Sequence, residues 1–107
     1  MPVVKILDAV TAVSVSTPDS IEGADLQSRT NATVVQCTAV GGSGTALAAL
    51  EGSLDGIGWT PLVNFSLTPT SSTVTDGVHI DTLWLFIRGN VTQIPSGCAI
   101  TMTIYRV

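Results

Sequence analysis

Residues 98–105, CAITMTIY, alternate without a break: Cys98, Ile100, Met102 and Ile104 share one face, and Thr101, Thr103 and Tyr105 share the other. Successive side chains of a β-strand point to opposite faces, so this pattern describes a strand with one face in a core and one in solvent. A slip of one residue would expose all four apolar side chains, which ties the register to the core. Residues 33–40, TVVQCTAV, repeat the pattern with Val35, Cys37 and Ala39 against Val34, Gln36, Thr38 and Val40. No window longer than ten residues keeps an apolar stripe at the three-and-four spacing of a helix. The chain is expected to be all-β.

Turn residues cut the rest into short pieces. Residues 3–16 give one or two strands, closed by Pro18-Asp19, a pair suited to starting a turn. A polar connection with room for one short strand follows over 17–29. Gly41-Gly42-Ser43-Gly44 reads as a flexible hairpin loop before a strand over 45–54, and Asp55-Gly56 as a turn before the returning strand 59–67. Residues 73–75 and 78–80 are expected on either side of an Asp76-Gly77 turn, and 83–91 and 99–107 as the two strongest strands. Turn signals about every 8–12 residues favour a single domain over 1–107, an antiparallel β-sandwich or jelly-roll-like fold of seven or eight short strands.

Two segments stay open at this level. Leu83, Trp84, Leu85, Phe86 and Ile87 are apolar on both faces, which implies burial on two sides, by another subunit or by a loop of the same chain. Residues 1–16 are long for one strand and read equally as an N-terminal assembly arm or as the first strand of the sandwich.

Composition narrows the function classes. Charged residues are 11% of the chain, against roughly 25% in ordinary soluble domains, so much of the surface is expected to be covered by a partner. With a net charge of −4 and only Lys5, Arg29, Arg88 and Arg106 as cations, there is no basic patch for nucleic acid. No purely apolar run is longer than 83–87, which falls far short of the roughly 18 residues of a membrane-spanning helix. The start of the chain lacks the pattern of a secretory signal, which points to synthesis in a cytoplasm. Cys37 and Cys98 could form one bridge, but both lie in apolar alternating segments and are expected as inward-facing thiols.

No catalytic set, cofactor motif or metal cluster is legible. Glu51, Asp55 and Asp76 lack the spacing of a calcium loop and are read as turn or solvated acids. His79, the single histidine, is read as a surface or core-edge residue. Trp59 is expected to close its hairpin by packing, the alternative being a platform for a sugar ring.

Residues 50–62, LEGSLDGIGWTPL, resemble the EGS-DG--WTPL hairpin of small β-sandwich structural proteins of tailed bacteriophages. The strand Ala32-Thr33-Val34-Val35-Gln36 before it and Leu85-Phe86-Ile87-Arg88-Gly89 after it extend the resemblance over 32–107; residues 1–31 match no motif. The resemblance implies that Asp55 and Gly56 make the turn and that Trp59 anchors the returning strand. It also implies a capsid decoration, or cement, protein on the virion surface: a homo-oligomer, expected as a trimer, bound to the major capsid protein. The alternative is a tail or fibre module that binds host-surface glycan.

Overall fold

The computed structural model describes residues 3–16, 18–20, 33–80 and 84–106. Among these, nine strands form: β1 Val3–Val10, β2 Ser14–Val15, β3 Asp19–Ser20, β4 Thr33–Val40, β5 Ala46–Ser53, β6 Thr60–Leu67, β7 Thr73–Ile80, β8 Phe86–Gln93 and β9 Ala99–Arg106. They make two antiparallel sheets, one in the order β1-β9-β4-β7 and one in the order β2-β8-β5-β6, with β3 also on β8. β2 and β3 follow one another along the same edge of β8 and act as one interrupted strand. Counted that way there are eight strands, and the first pairs with the last, the second with the seventh, the third with the sixth and the fourth with the fifth. This nested pairing, folded over on itself, is a jelly roll.

The alternation read from residues 98–105 holds. Cys98, Ile100, Met102 and Ile104 are all buried, as are Val35, Cys37 and Ala39 on the adjacent β4. The facing sheet contributes Ala46, Ala48 and Leu50 from β5, Phe65 and Leu67 from β6, and Ile87 and Val91 from β8. Leu7 of β1 completes this core. A Cβ on Gly89 would come within 2.8 Å of Leu7 Cδ1 and 3.2 Å of Met102 Sδ, so the absent side chain on β8 is the space that Leu7 fills from the opposite sheet.

Both cysteines are free and buried. Burial pushes the Cys37 thiol up to about 11, with Asp76 and Cys98 adding to the effect. Cys37 is therefore a small apolar side chain at neutral pH. Cys37→Ala is expected to cost less than Cys37→Ser by about 1–2 kcal/mol, because a buried hydroxyl needs a partner. Equal urea midpoints for the two variants would contradict this.

Four expectations are corrected. The apolar run 83–87 is not a two-sided strand: β8 begins at Phe86, so Trp84 and Leu85 precede it, and Leu83 lies outside the described residues. Trp84 instead packs within the chain, its ring filling the place a Cβ on Gly52 would take, 2.7 Å away. Pro18-Asp19 does not turn the chain; β2 and β3 line the same edge of β8 with a break between them, and Asp19 and Ser20 lie opposite Ile87 and Phe86. Ser16 bridges this break, its amide donating to Gly89 O at 2.9 Å and its Oγ accepting from Gly89 N at 2.8 Å.

Gly41-Gly42-Ser43-Gly44 crosses from one sheet to the other, where a hairpin loop was expected, and it is tied down. Gly41 N donates to Ser72 O at 2.9 Å and Ser71 N to Gly42 O at 2.7 Å. Gly41 has a φ of +78°, and a Cβ there would lie 2.7 Å from Gly97 O, so the glycine serves close backbone approach. Finally, Asp76-Gly77 makes no turn. β7 runs unbroken from Thr73 to Ile80, each residue opposite one of β4.

The N-terminal segment read as a candidate arm is, in its described part, an edge strand of its own sandwich. Val3–Val10 pairs with β9, with irregularities between Lys5 and Leu7 and between Leu7 and Val10.

Candidate functional site

The outer face of the β8-β5-β6 sheet carries a polar cluster built around one ion pair. Glu51 of β5 lies directly opposite Arg88 of β8, and Arg88 Nε donates to Glu51 Oε1 at 2.7 Å. Asn90 Nδ2 donates to Glu51 Oε2 at 3.3 Å. The guanidinium carbon of Arg88 also sits 4.2 Å from the centroid of the Trp59 ring, within range of a cation–π contact. Trp59, expected to close its hairpin by packing, thus also stands against a cation from β8. Beside the cluster runs a shallow groove of about 300 Å³, lined among others by Leu47, Ala49, Glu51, Pro61, Asn64 and Asn90.

The ion pair is well covered, with side-chain exposure of 23% for Arg88 and 12% for Glu51. Removing one partner leaves the other charge partly buried and uncompensated. Glu51→Ala is expected to destabilise the fold by about 2–3 kcal/mol, and Glu51→Ala with Arg88→Met by less than the single change. A double-mutant cycle with no coupling between the two positions would refute the pairing.

Asp55 and Gly56 do shape the loop between β5 and β6. Ser53 Oγ donates to Asp55 Oδ1 at 2.9 Å and accepts from the Asp55 and Gly56 amides. The Ile57 and Gly58 amides donate to Asp55 Oδ1 at 2.8 and 2.9 Å. Gly56 takes a φ of +77°. These donors, the Gly58 amide foremost, lower the Asp55 carboxyl below its ordinary value of 3.8. Because the folded state favours the carboxylate, its contribution is complete above 3.8 and is lost as pH falls through the lowered value. The protection factors of the Ile57 and Gly58 amides, exchange corrected for its intrinsic pH dependence, are expected to fall only in acid below the ordinary carboxylate range; a fall near pH 6 would point to a different group. The loop displays Leu54 and Ile57, 64% and 84% exposed.

The outer face of the other sheet is different. Val34, Gln36, Thr38 and Val40 of β4 stand between Thr101, Thr103 and Tyr105 of β9 and Thr73, Thr75, Gly77 and His79 of β7. Thr38 Oγ1 and Thr75 Oγ1 are 3.0 Å apart and share a hydrogen bond. Across these three strands that face holds no Lys, Arg, Asp or Glu.

The three acids weighed together from sequence are not brought together as a site. Glu51 pairs with Arg88, Asp55 organises its own loop, and Asp76 lies on β7 of the other sheet. Among the described residues no group of three or more His, Cys, Asp or Glu side chains could hold a metal ion. Arg88 and Asn90 were not singled out in the sequence; the available signal was one acid and one base, each alone inside strands otherwise free of charge. No protein-family model matches the chain, and comparison with curated proteins finds no match.

Proposed function

We propose that this protein is a virion structural protein of a tailed bacteriophage, a capsid decoration protein that binds the major capsid protein and reinforces the shell. The observation that carries the reading is the uncharged Val, Thr and Gln face of β9, β4 and β7, which loses little hydration when another protein covers it. The phage resemblance of residues 50–62 supplies the class of partner, and a trimer is the assembly it implies. The service is mechanical: contact area spread across capsomer joints raises the free energy of separating them.

Quantitative mass spectrometry of purified particles tests this, with hundreds of copies per virion expected. Thr38→Lys, placed in the middle of the uncharged face, is expected to fold and to weaken co-sedimentation with capsids at least tenfold. Absence from particles, or a few copies confined to tails, would overturn the proposal.

The groove beside Glu51 and Arg88 favours a second reading, a glycan-binding module, because Asn64 and Asn90 offer hydrogen bonds at the edge of a floor formed by Ala49. Trp59, already against Arg88, would support such a site indirectly. Binding on a glycan array that disappears in Asn64→Ala, together with low copy number, would establish this reading instead.

A further inference from the structure

The dipeptide Asp-Gly occurs twice in the chain, as Asp55-Gly56 in the loop between β5 and β6 and as Asp76-Gly77 within β7. In such a pair the backbone nitrogen of the glycine can attack the preceding side-chain carboxyl, because glycine places no side chain in its path. The dipeptides alone make the two sites equal. Their hydrogen bonds do not.

At Asp55 both reacting groups are engaged elsewhere. Oδ1 accepts from Ser53 Oγ and from the Ile57 and Gly58 amides, and the Gly56 nitrogen donates to Ser53 Oγ at 2.9 Å. Bringing that nitrogen onto the carboxyl carbon breaks its bond to Ser53 and draws the carboxylate off its donors, which as charge-assisted bonds are among the stronger ones to lose. At Asp76 the bond runs between the reacting groups themselves, the Gly77 amide donating to Asp76 Oδ1 at 2.9 Å. The nitrogen already lies beside the carboxyl it would attack. Both residues are exposed, on a strand that among the described residues pairs in its sheet with β4 alone. An edge strand with solvent-exposed backbone opens locally at lower cost than the centre of a sheet, and such opening frees the Asp76 backbone to leave the extended conformation for ring closure.

We propose that Asp76-Gly77 is a site of spontaneous covalent modification in the folded protein, converting to isoaspartate through a cyclic imide, and that the bonds among Ser53, Asp55 and the loop amides spare the other Asp-Gly pair. In the first step Gly77 N bonds to Asp76 Cγ, the amide proton and a carboxyl hydroxyl leave together as water, and a succinimide ring remains. In the second, water adds to one of the two ring carbonyls. Opening at Cγ restores aspartate. Opening at the backbone carbonyl carbon leaves the chain running through the former side chain, with one more methylene in the backbone and the old main-chain carbonyl as the free carboxylate. Water is lost and regained, so no oxidant or cofactor enters. The product cannot keep β7 in register: beyond the added methylene, Gly77, Val78, His79 and Ile80 no longer meet Gln36, Val35, Val34 and Thr33 in turn. This inference is independent of the capsid reading.

Incubation of the whole protein at neutral pH, followed by peptide mapping with electron-transfer fragmentation, which separates isoaspartate from aspartate, tests it. Isoaspartate is expected to accumulate at Asp76 about tenfold faster or more than at Asp55, where the engaged groups must first be released. In the urea-unfolded chain the two sites are expected to react at comparable rates. Gly77→Ala is expected to slow the Asp76 reaction in the folded protein, and the fold accommodates it, since a Cβ there would meet only Val35 O, at 3.4 Å. Ser53→Ala, which releases the Gly56 amide, is expected to speed the reaction at Asp55 and to leave that at Asp76 unchanged. Isoaspartate forming at Asp55 as fast as at Asp76 in the folded protein, forming at Asp76 only in urea, or forming at Asp55 no faster in Ser53→Ala would overturn the proposal.

Discussion

A chain shortened by its first 16 residues is expected to lose its cooperative thermal transition. The deletion removes β1 and β2 together, one from each sheet. Leu7 is 3% exposed, and Val4, Ile6 and Val10 pack against the same core. Burying one leucine fully and three β-branched side chains in part is worth on the order of 5 kcal/mol. That equals the lower end of the total stability of a domain this size. The loss also leaves an unpaired edge on β9 and opens the space over Gly89. Circular dichroism and amide proton dispersion would register the outcome. A shortened chain that melts cooperatively near the full-length temperature would mean that these strands are dispensable, as an assembly arm would be.

Phe65→Ala is expected to cost about 3–5 kcal/mol, lowering Tm by more than about 12 °C. Among the described residues Phe65 is one of the largest fully buried side chains, and its partner across the ladder is Ala48. Ala39 and Ala46 are also part of this core. Alanines have no rotamers with which to swing into a vacated space, and hydrogen-bonded sheets resist collapsing to close it. Phe65→Leu, which keeps most of the volume, is expected to cost less than about 1.5 kcal/mol. A loss below about 1 kcal/mol for Phe65→Ala would show that the layers can close on the cavity.

The parts of the fold legible in the sequence are those where one face is wet and the other dry. Residues 33–40 and 98–105 alternate because β4 and β9 lie in the middle of a sheet with an open outer face, so burial writes a period of two. The run 83–87 could not be read this way. Without alternation, periodicity cannot separate a strand from a segment that packs irregularly, and Trp84 is accommodated by Gly52, more than thirty residues away. Asp76-Gly77 misled for another reason. The dipeptide that favours a turn satisfied its local hydrogen bond inside a strand, and pairing with all of β4 overrode the local preference. The cluster of Glu51, Arg88 and Trp59 was hidden because cross-strand neighbours in a jelly roll are distant in sequence. Asp55 and Gly56, whose bonds are all local, were legible.

Nested pairing also dictates when each strand can find its place during synthesis. β5 and β6, joined by the Asp55 loop, are the innermost pair and need nothing made later to find each other, although the other edge of β5 waits for β8. β4 must wait for β7, the interrupted β2–β3 edge for β8, and β1 for β9, the last of these nine strands to be made. At roughly 5–20 residues per second, translation holds β1 without its partner for several seconds. Closure then depends on contacts remote in sequence, which places folding in the millisecond-to-second regime of all-β domains. The loop cinched by Ser53 and Asp55 stands at the apex of this order, so loosening it should slow refolding more than it speeds unfolding, because the hairpin it closes is the template on which the outer pairs assemble in turn.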